Sequence, residues 1–206
     1  MFEYFSIETL YGSLFYTRRN IGFLFHNKHK YDIIQVPNTA KECDNMQLEI
    51  VKKDITTISS DFLICHCISA DAAMGAGVAL ALVRRFPSMK SEVKECLEDI
   101  PLPRRISQVV FFVDDTSNSL SNTIIANMIT KTHYWDKSST MPQGAYLDNL
   151  RQCLILVKQV MLERNIKKLA MPKIGCGLDR CSWMEVESII LDVFDGTDID
   201  ITVCVL

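Results

Sequence analysis

The sequence predicts a three-layer α/β/α protein with a mixed, mostly parallel central sheet and an N-terminal extension. Three observations predict this fold class. Strand-like and helix-like segments alternate from Met46 to Leu206, which is typical of a sheet joined by helical crossovers. The run Phe62–Ile68 is apolar throughout, as in a strand buried on both faces. Two strand-like segments lead directly into glycine-containing loops, and parallel sheets bind ligands at the carboxyl ends of their strands.

The composition fits one packed domain with an appendage. The 206 residues are 48% hydrophobic and 23% charged, with a net charge of −3. These values exclude a disordered chain, and they give no reason to expect general affinity for nucleic acid or an anionic membrane. Apolar runs stay shorter than the roughly 18 residues of a membrane span. We therefore expect a monomer with neither a membrane nor a nucleic-acid partner.

The eight cysteines lie mostly inside apolar runs. Residues 1–10 carry acidic and aromatic side chains where a secretory leader would be basic and then apolar. Reduced, buried thiols in a cytosolic or nuclear protein are the expected arrangement. Cys65, His66 and Cys67 do not have the spacing of a zinc knuckle, so we predict no metal site.

Residues 1–45 differ in composition from residues 46–206, which we predict to form the main domain. The extension is rich in aromatic and basic residues. Tyr31–Val36 has the character of a strand, and Pro37–Asn45 that of a linker. Aromatic side chains interleaved with basic ones can stack nucleobases. The favoured interpretation is a small extension that packs its aromatic side chains on the main domain.

Hydrophobic patterning assigns the elements of the main domain. Strands are predicted at Leu48–Val51, Phe62–Ile68, Val109–Val113, Thr123–Ile129, Lys168–Met171 and Ile199–Leu206. Helices are predicted at Val78–Phe86, Ser88–Asp99, Tyr146–Glu163 and Trp183–Phe194. Pro101 and Pro103 are expected to end the second helix, and Ser182 with Glu185 predicts a capping box for the fourth.

Each glycine loop follows a predicted strand. The second glycine loop, Ile174–Leu178, is predicted to lead toward a helix N-terminus, where backbone N–H groups and the helix dipole favour phosphate. An ordinary connection that uses glycine for turn geometry explains the same residues. The first glycine loop, Met74–Ala79, lacks the third glycine of a dinucleotide fingerprint and the lysine of a Walker loop. It therefore argues against dinucleotide binding and against Walker-type nucleotide binding.

Five segments resemble macrodomains, the ADP-ribose-binding α/β/α family. They are His66–Ser69 (HCIS), Met74–Gly77 (MGAG), Ile129–Lys131 (ITK), Met171–Arg180 (MPKIGCGLDR) and Thr197–Val203 (TDIDITV). The chain from about Met46 to Leu206 is most similar to the branch of the terminal ADP-ribose protein glycohydrolase, also described as O-acetyl-ADP-ribose deacetylase. Macrodomains usually carry asparagines in the first glycine loop, and this chain does not.

The resemblance implies a role for each matching residue. Lys131 matches the catalytic lysine and Asp179 the catalytic aspartate. Asp54 matches the acidic residue that meets the adenine amino group. The full set of implied substrate-binding residues is Asp54, Ile55, Ser69, Met74, Gly75, Ala76, Gly77, Val78, Thr130, Lys173, Ile174, Gly175, Cys176, Gly177, Leu178 and Leu206. The chain departs from the family at Lys53, where glycine is usual, and at Cys204, where a tyrosine is expected near adenine.

The implied chemistry agrees with the two residue types. A neutral lysine amine can attack the anomeric carbon of ADP-ribose and displace an acyl group, while an aspartate exchanges the proton. Lys131 and Asp179 therefore predict hydrolysis of ADP-ribosyl esters on acidic side chains, and of O-acyl-ADP-ribose, without a cofactor. A plain ion pair between them is the structural alternative. A non-catalytic ADP-ribose reader and an ADP-ribose 1″-phosphate phosphatase are the alternative functions.

Four other residues receive mostly structural interpretations. Cys176 has no evident general base and is expected to be a small filler, not a nucleophile. His66 ends a buried strand and is expected to be a hydrogen-bonded core histidine. His133 and Trp135 follow Lys131, where either a lid over the substrate or an ordinary exposed loop fits.

Overall fold

A computed structural model of the chain describes the backbone of residues 5–9 and 12–16 and all of residues 46–114 and 122–206. Phe5–Thr9 (β1) and Gly12–Tyr16 (β2) form an antiparallel pair. The predicted strand at Tyr31–Val36 and the predicted linker at Pro37–Asn45 lie outside the described residues. The use of the aromatic side chains in the extension therefore stays a prediction.

The main sheet has six strands among the described residues. They are Leu48–Lys52 (β3), Leu63–Ser69 (β4), Val109–Asp114 (β5), Thr123–Lys131 (β6), Lys168–Pro172 (β7) and Asp200–Val205 (β8). Their order is β3-β8-β7-β4-β6-β5. Every neighbouring pair is parallel except β5 and β6, which run antiparallel. The predicted fold class, a mixed and mostly parallel sheet between helical layers, is confirmed.

Five α-helices accompany the sheet in the described part of the chain. They are Gly77–Arg85 (α1), Met89–Leu97 (α2), Leu102–Arg105 (α3), Ala145–Glu163 (α4) and Trp183–Phe194 (α5). Short 3-10 turns lie at Ile55–Thr57 and Ser138–Thr140. Helix α3 was not predicted, because Pro101 and Pro103 were expected only to end the preceding helix. Proline is tolerated in the first turn of a helix, and Pro103 occupies that position in α3.

The predicted capping box of α5 is wrong, because its capping hydrogen bond does not form. Ser182 does stand at the N-cap position, but its side chain makes no capping hydrogen bond. The backbone N–H of Cys181 instead donates to the carbonyl oxygen of Gly175 at 2.9 Å, which closes the loop before the helix. The path into α5 is therefore set by loop closure.

Two hydrophobic layers cover the two faces of the sheet. On one face, α4 and α5 pack against the strands, and the predicted core positions of α4 are fully buried: Leu150, Leu154, Val157 and Met161. On the other face, α1 and α2 supply the core with side chains such as Leu82, Met89 and Val93. Both layers pack on the faces of the sheet and do not cover the carboxyl ends of the strands, where the loops lie.

The seven cysteines in the described ranges are free thiols, and Cys43 lies outside those ranges. Within the same ranges, no three His, Cys, Asp or Glu side chains are grouped so as to hold a metal ion. A search of those ranges also finds no helix with the length and apolar character that crossing a bilayer requires.

Candidate active site

A cleft of about 780 Å³ opens at the carboxyl ends of β4, β6 and β7. The last residues of these strands, Ser69, Lys131 and Pro172, all line it. Three loops form its walls: the first glycine loop, the second glycine loop, and the aromatic loop that we define as His133–Lys137. Its volume lies in the range of small-molecule sites.

The first glycine loop brings a helix N-terminus to the cleft. Gly77, Val78 and Ala79 line the cleft and form the first turn of α1. The N-cap residue Ala76 has no side chain that could bond the free N–H groups of this turn. Unbonded N–H groups at the positive end of a helix dipole form an anion site.

This arrangement corrects one expectation. The N-terminus of α5 was expected to direct its N–H groups and dipole at the same spot as the second glycine loop. The helix begins at Trp183 as predicted, but neither Ser182 nor Trp183 lines the cleft, whose lining ends at Arg180. The helix dipole at the cleft is therefore that of α1.

Gly175 is required by its surroundings. Its φ is +70°, which favours glycine. A Cβ atom there would stand 3.1 Å from Cε1 of Tyr146 and 3.2 Å from Sγ of Cys181. A Cβ atom at Gly177 would meet nothing within 4 Å. Gly175 thus avoids a clash with Tyr146 and Cys181, whereas Gly177 leaves the backbone open toward the cleft.

Lys131 and Asp179 form a buried ion pair at the floor of the cleft. They lie 48 residues apart in sequence, and each residue is no more than 9% exposed. Nζ of Lys131 also donates to the carbonyl oxygens of Tyr134 at 3.2 Å and Asp136 at 3.0 Å. The aromatic loop therefore holds the lysine from one side while the aspartate holds it from the other.

The carboxylate of Asp179 has a second partner that the sequence does not predict. The hydroxyl of Tyr146 donates to Oδ2 at 2.8 Å, and Oδ1 faces Lys131. Ser138 fixes the backbone of the same residue, because its Oγ donates to the carbonyl oxygen of Asp179 at 2.8 Å. Tyr146 occupies an apolar stripe of α4, and nothing in the local sequence distinguishes it from a core aromatic residue.

The aromatic loop is an ordered wall of the cleft. The rings of His133 and Trp135 stack with centroids 4.5 Å apart, and Tyr134 meets Trp135 edge-on at 4.8 Å. Tyr134 and Trp135 line the cleft while more than half of each remains exposed. Asp71 ties this loop to the end of β4, since its Oδ2 accepts a hydrogen bond from the backbone N–H of Tyr134 at 3.1 Å.

The structure brings most of the predicted site residues together. Besides Lys131 and Asp179, the cleft is lined by Ser69, Met74, Gly75, Ala76, Gly77, Val78, Lys173, Ile174, Gly175, Gly177 and Leu178. Five predicted residues do not line it: Asp54, Ile55, Thr130, Cys176 and Leu206. The binding roles assigned to these five stay predictions.

The environments of these five residues differ. Asp54 is exposed, and hydrogen bonds from Thr56 lower the pKa of its carboxyl. Ile55 packs in the core, Thr130 is fully buried, and Leu206 is almost fully exposed.

Cys176 and His66 have the structural environments that were expected. The thiol of Cys176 donates to the carbonyl oxygen of Ile174, and partial burial raises its pKa, which disfavours a thiolate nucleophile. Nε2 of the buried His66 lies 2.8 Å from Oδ1 of Asn127. Burial lowers the pKa of His66 to about 4. A hydrogen-bonded core histidine is therefore confirmed.

Comparison with known proteins identifies related sequences. The family model described as Macro domain matches residues 65–190, more than half of the chain. The chain is 29% identical over 168 residues to "ADP-ribose glycohydrolase OARD1" of Bos taurus, covering 81% of this chain and 96% of that protein. It is 28% identical over 141 residues to "DNA ADP-ribosyl glycohydrolase" of Mycobacterium tuberculosis, covering 68% of this chain and 37% of that protein.

Solved structures show the same fold. The macrodomain of Thermus aquaticus DarG superposes with a TM-score of 0.62 at 20% identity, covering 78% of this chain and 99% of that one. A protein of unknown function from Bacteroides thetaiotaomicron gives a TM-score of 0.63 at 26% identity, with the same coverage of both chains.

Proposed function

The chain belongs to the Macro domain family, and from this premise we propose that it is a hydrolase that binds ADP-ribose and releases it from ester linkage. The proposed substrates are proteins mono-ADP-ribosylated on acidic side chains, and O-acyl-ADP-ribose. The observation that carries this proposal is the buried Lys131–Asp179 pair, which faces the cleft directly beside the second glycine loop. The relatives named as ADP-ribose and DNA ADP-ribosyl glycohydrolases support the hydrolase class.

The cleft has the features that a diphosphate requires. The uncapped first turn of α1 offers N–H groups at the positive end of a dipole. Lys173 and Arg180 add positive charge to the wall that carries the second glycine loop. We place the diphosphate between the two glycine loops, both of which line the cleft. The distal ribose then lies at Lys131 and Asp179.

The proposed reaction uses this pair in sequence. Oδ1 of Asp179 takes a proton from the Lys131 ammonium, with which it is already in contact. The freed amine attacks C1″ of the distal ribose, a C–N bond forms, and the C1″–O bond to the acyl group breaks. The substrate's carboxylate leaves with the bonding electron pair. Water then displaces the lysine at C1″, which breaks the C–N bond and releases ADP-ribose with a hydroxyl at C1″. The second proton of this water passes to solvent, and the proton on Asp179 returns to the freed amine.

A second candidate function is an ADP-ribose reader without turnover. The observation that favours it is that Lys131 has three acceptors, the carboxylate of Asp179 and two backbone carbonyls. A resting ion pair that only shapes the cleft has the same contacts. Lys53 and Cys204, which replace the residues expected beside adenine, are compatible with either function.

The test is release of ADP-ribose from a glutamate-ADP-ribosylated protein. We expect wild type to release it, and Lys131→Ala and Asp179→Ala each to lower the rate by about 10³-fold, because each removes one half of the proton-transfer pair. Lys94→Ala is the matched control, since Lys94 is exposed on α2 and does not line the cleft.

Two results would change the assignment. If wild type binds ADP-ribose tightly by calorimetry but releases none from the ester, the protein is a non-catalytic ADP-ribose reader. Phosphate release from ADP-ribose 1″-phosphate, without ester hydrolysis, would indicate the phosphatase.

A further inference from the structure

We propose that Tyr146 is a positioning residue for the reaction: its hydroxyl orients the carboxylate of Asp179 so that Oδ1 exchanges the proton with Lys131. This inference rests on the proposed function. It concerns a residue on α4, outside both glycine loops and outside the cleft lining.

The geometry divides the two carboxylate oxygens between two donors. Oδ2 accepts from the Tyr146 hydroxyl at 2.8 Å, and Oδ1 contacts the Lys131 ammonium. Rotation of the carboxylate away from this orientation breaks one or both bonds. Because the hydroxyl is neutral, it fixes the orientation without competing with Lys131 as a second cation. The oxygen that faces Lys131 is thus the one that stays free to take its proton.

Tyr146 is itself held rigidly. The residue is 1% exposed, and burial raises the pKa of its hydroxyl, so the group remains a protonated donor at neutral pH. Its ring packs on the backbone of Gly175, where a Cβ atom would come within 3.1 Å of Cε1. The side chain therefore contacts the second glycine loop at Gly175 and the catalytic carboxylate four residues later.

The same helix also positions the strand that carries Lys131. One turn after Tyr146, Nδ2 of Asn149 donates to the carbonyl oxygen of Thr130 at 3.0 Å. The first two turns of α4 thus contact both sides of the ion pair, Asp179 through Tyr146 and Lys131 through its neighbour Thr130. Since Tyr146 does not line the cleft, it acts on the reaction only through Asp179.

The experiment compares Tyr146→Phe with wild type on the glutamate-ADP-ribosylated protein. The substitution keeps the ring and its packing and removes only the hydroxyl. We expect kcat to fall by about 10- to 100-fold, as for small misplacements of a catalytic group. The Kd for ADP-ribose, measured by calorimetry, should stay within about 2-fold, because Tyr146 does not line the cleft.

Val157→Ala separates positioning from loss of stability. Val157 is fully buried on α4, three turns beyond Tyr146, and does not contact Asp179. Its truncation should lower Tm at least as much as Tyr146→Phe and leave kcat unchanged. A double-mutant cycle adds a second criterion: in an Asp179→Asn background, Tyr146→Phe should lower kcat no further.

Three outcomes would overturn the inference. In the first, Tyr146→Phe keeps the wild-type kcat while wild type is active, and only this inference fails. In the second, Val157→Ala loses as much kcat as Tyr146→Phe, which shows that the effect is general destabilisation. In the third, wild type itself does not cleave the ester, and then the proposed function fails together with the inference.

Discussion

The sheet carries two buried pairs of polar side chains, one neutral and one ionic. His66 and Asn127 face each other in register on β4 and β6, in the interior of the sheet. Lys131 lies four residues further along β6, at its carboxyl end, and pairs with Asp179 from a loop. The two pairs are thus neighbours on one strand, and each includes at least one residue that lines the cleft, but they differ in charge and in position along the strand.

The inner pair is neutral because the sheet interior cannot stabilise an isolated charge. Burial lowers the pKa of His66 to about 4, so the imidazole is uncharged at neutral pH. Oδ1 of Asn127 bonds His66, and its Nδ2 donates to the carbonyl oxygen of Val110 at 3.0 Å. The pair therefore connects β4, β6 and β5 through hydrogen bonds between neutral groups.

The outer pair is charged because loops surround it with compensating groups. Two backbone carbonyls accept from Lys131, and a tyrosine hydroxyl donates to Asp179. The side chains of Lys131 and Asp179 are 9% and 12% exposed, respectively, which is enough to face the cleft. Position along one strand thus separates a structural polar pair from the pair that we propose to be reactive, since only the strand end has loops to support a charge.

The largest expected effect comes from breaking the ionic pair on one side. Lys131→Met leaves the Asp179 carboxylate buried without a cation, and we expect the free energy of unfolding to fall by about 3 kcal/mol. The double variant Lys131→Met, Asp179→Leu removes both charges and should regain most of that loss. Urea unfolding measures all three proteins. If Lys131→Met lowers the free energy of unfolding no more than the double variant does, the ion pair is solvated. The contrast drawn between the ionic and the neutral pair is then wrong.

A smaller effect is expected at the neutral pair. Asn127→Leu has similar volume but leaves the Val110 carbonyl oxygen and His66 without their partner, which should cost about 2 kcal/mol in urea unfolding. The kcat of the folded protein should stay within about 2-fold, because Asn127 is fully buried and does not line the cleft. A loss of kcat as large as that of Lys131→Ala would show that the two pairs are functionally coupled.

An effect of similar size, spread over two pH units, is expected from the titration of the neutral pair. The pKa of His66 is about 6.5 in the unfolded chain and about 4 in the folded protein. The unfolded state therefore binds more protons between these values, so His66 favours folding fully above pH 6.5 and loses this contribution as pH falls toward 4. The loss between pH 6.5 and pH 4.5 should be roughly 2 kcal/mol.

His66→Gln should flatten the stability curve in that window. Asp54, Asp61 and Asp198 have lowered pKa values, so their contributions are lost only below about pH 4 and do not interfere. Thermal unfolding of wild type and variant at half-unit steps of pH makes the comparison. Parallel curves for the two proteins would refute this account of His66.

Much of the fold was accessible from the sequence, because its signals are local. Apolar runs located the six main strands, the 3.6-residue stripe of α4 identified Leu150 and Leu154 as core, and the glycine loops were placed at strand ends. Helix α3 was missed, since proline has opposite meanings inside a helix and in its first turn. The error about α5 has a similar cause: sequence spacing shows that a helix follows a loop, but not where its end points.

By itself the sequence determined the order of the elements, the buried stripes, the glycines, and the presence of one lysine and one aspartate after strand ends. Only the tertiary structure decided that Lys131 meets Asp179 across 48 residues, that Tyr146 holds the second carboxylate oxygen, and that α1 supplies the helix N-terminus of the cleft. The physical reason is range. Hydrophobic periodicity acts over one element, whereas a hydrogen bond to a carboxylate depends on strand order, helix packing and loop closure together.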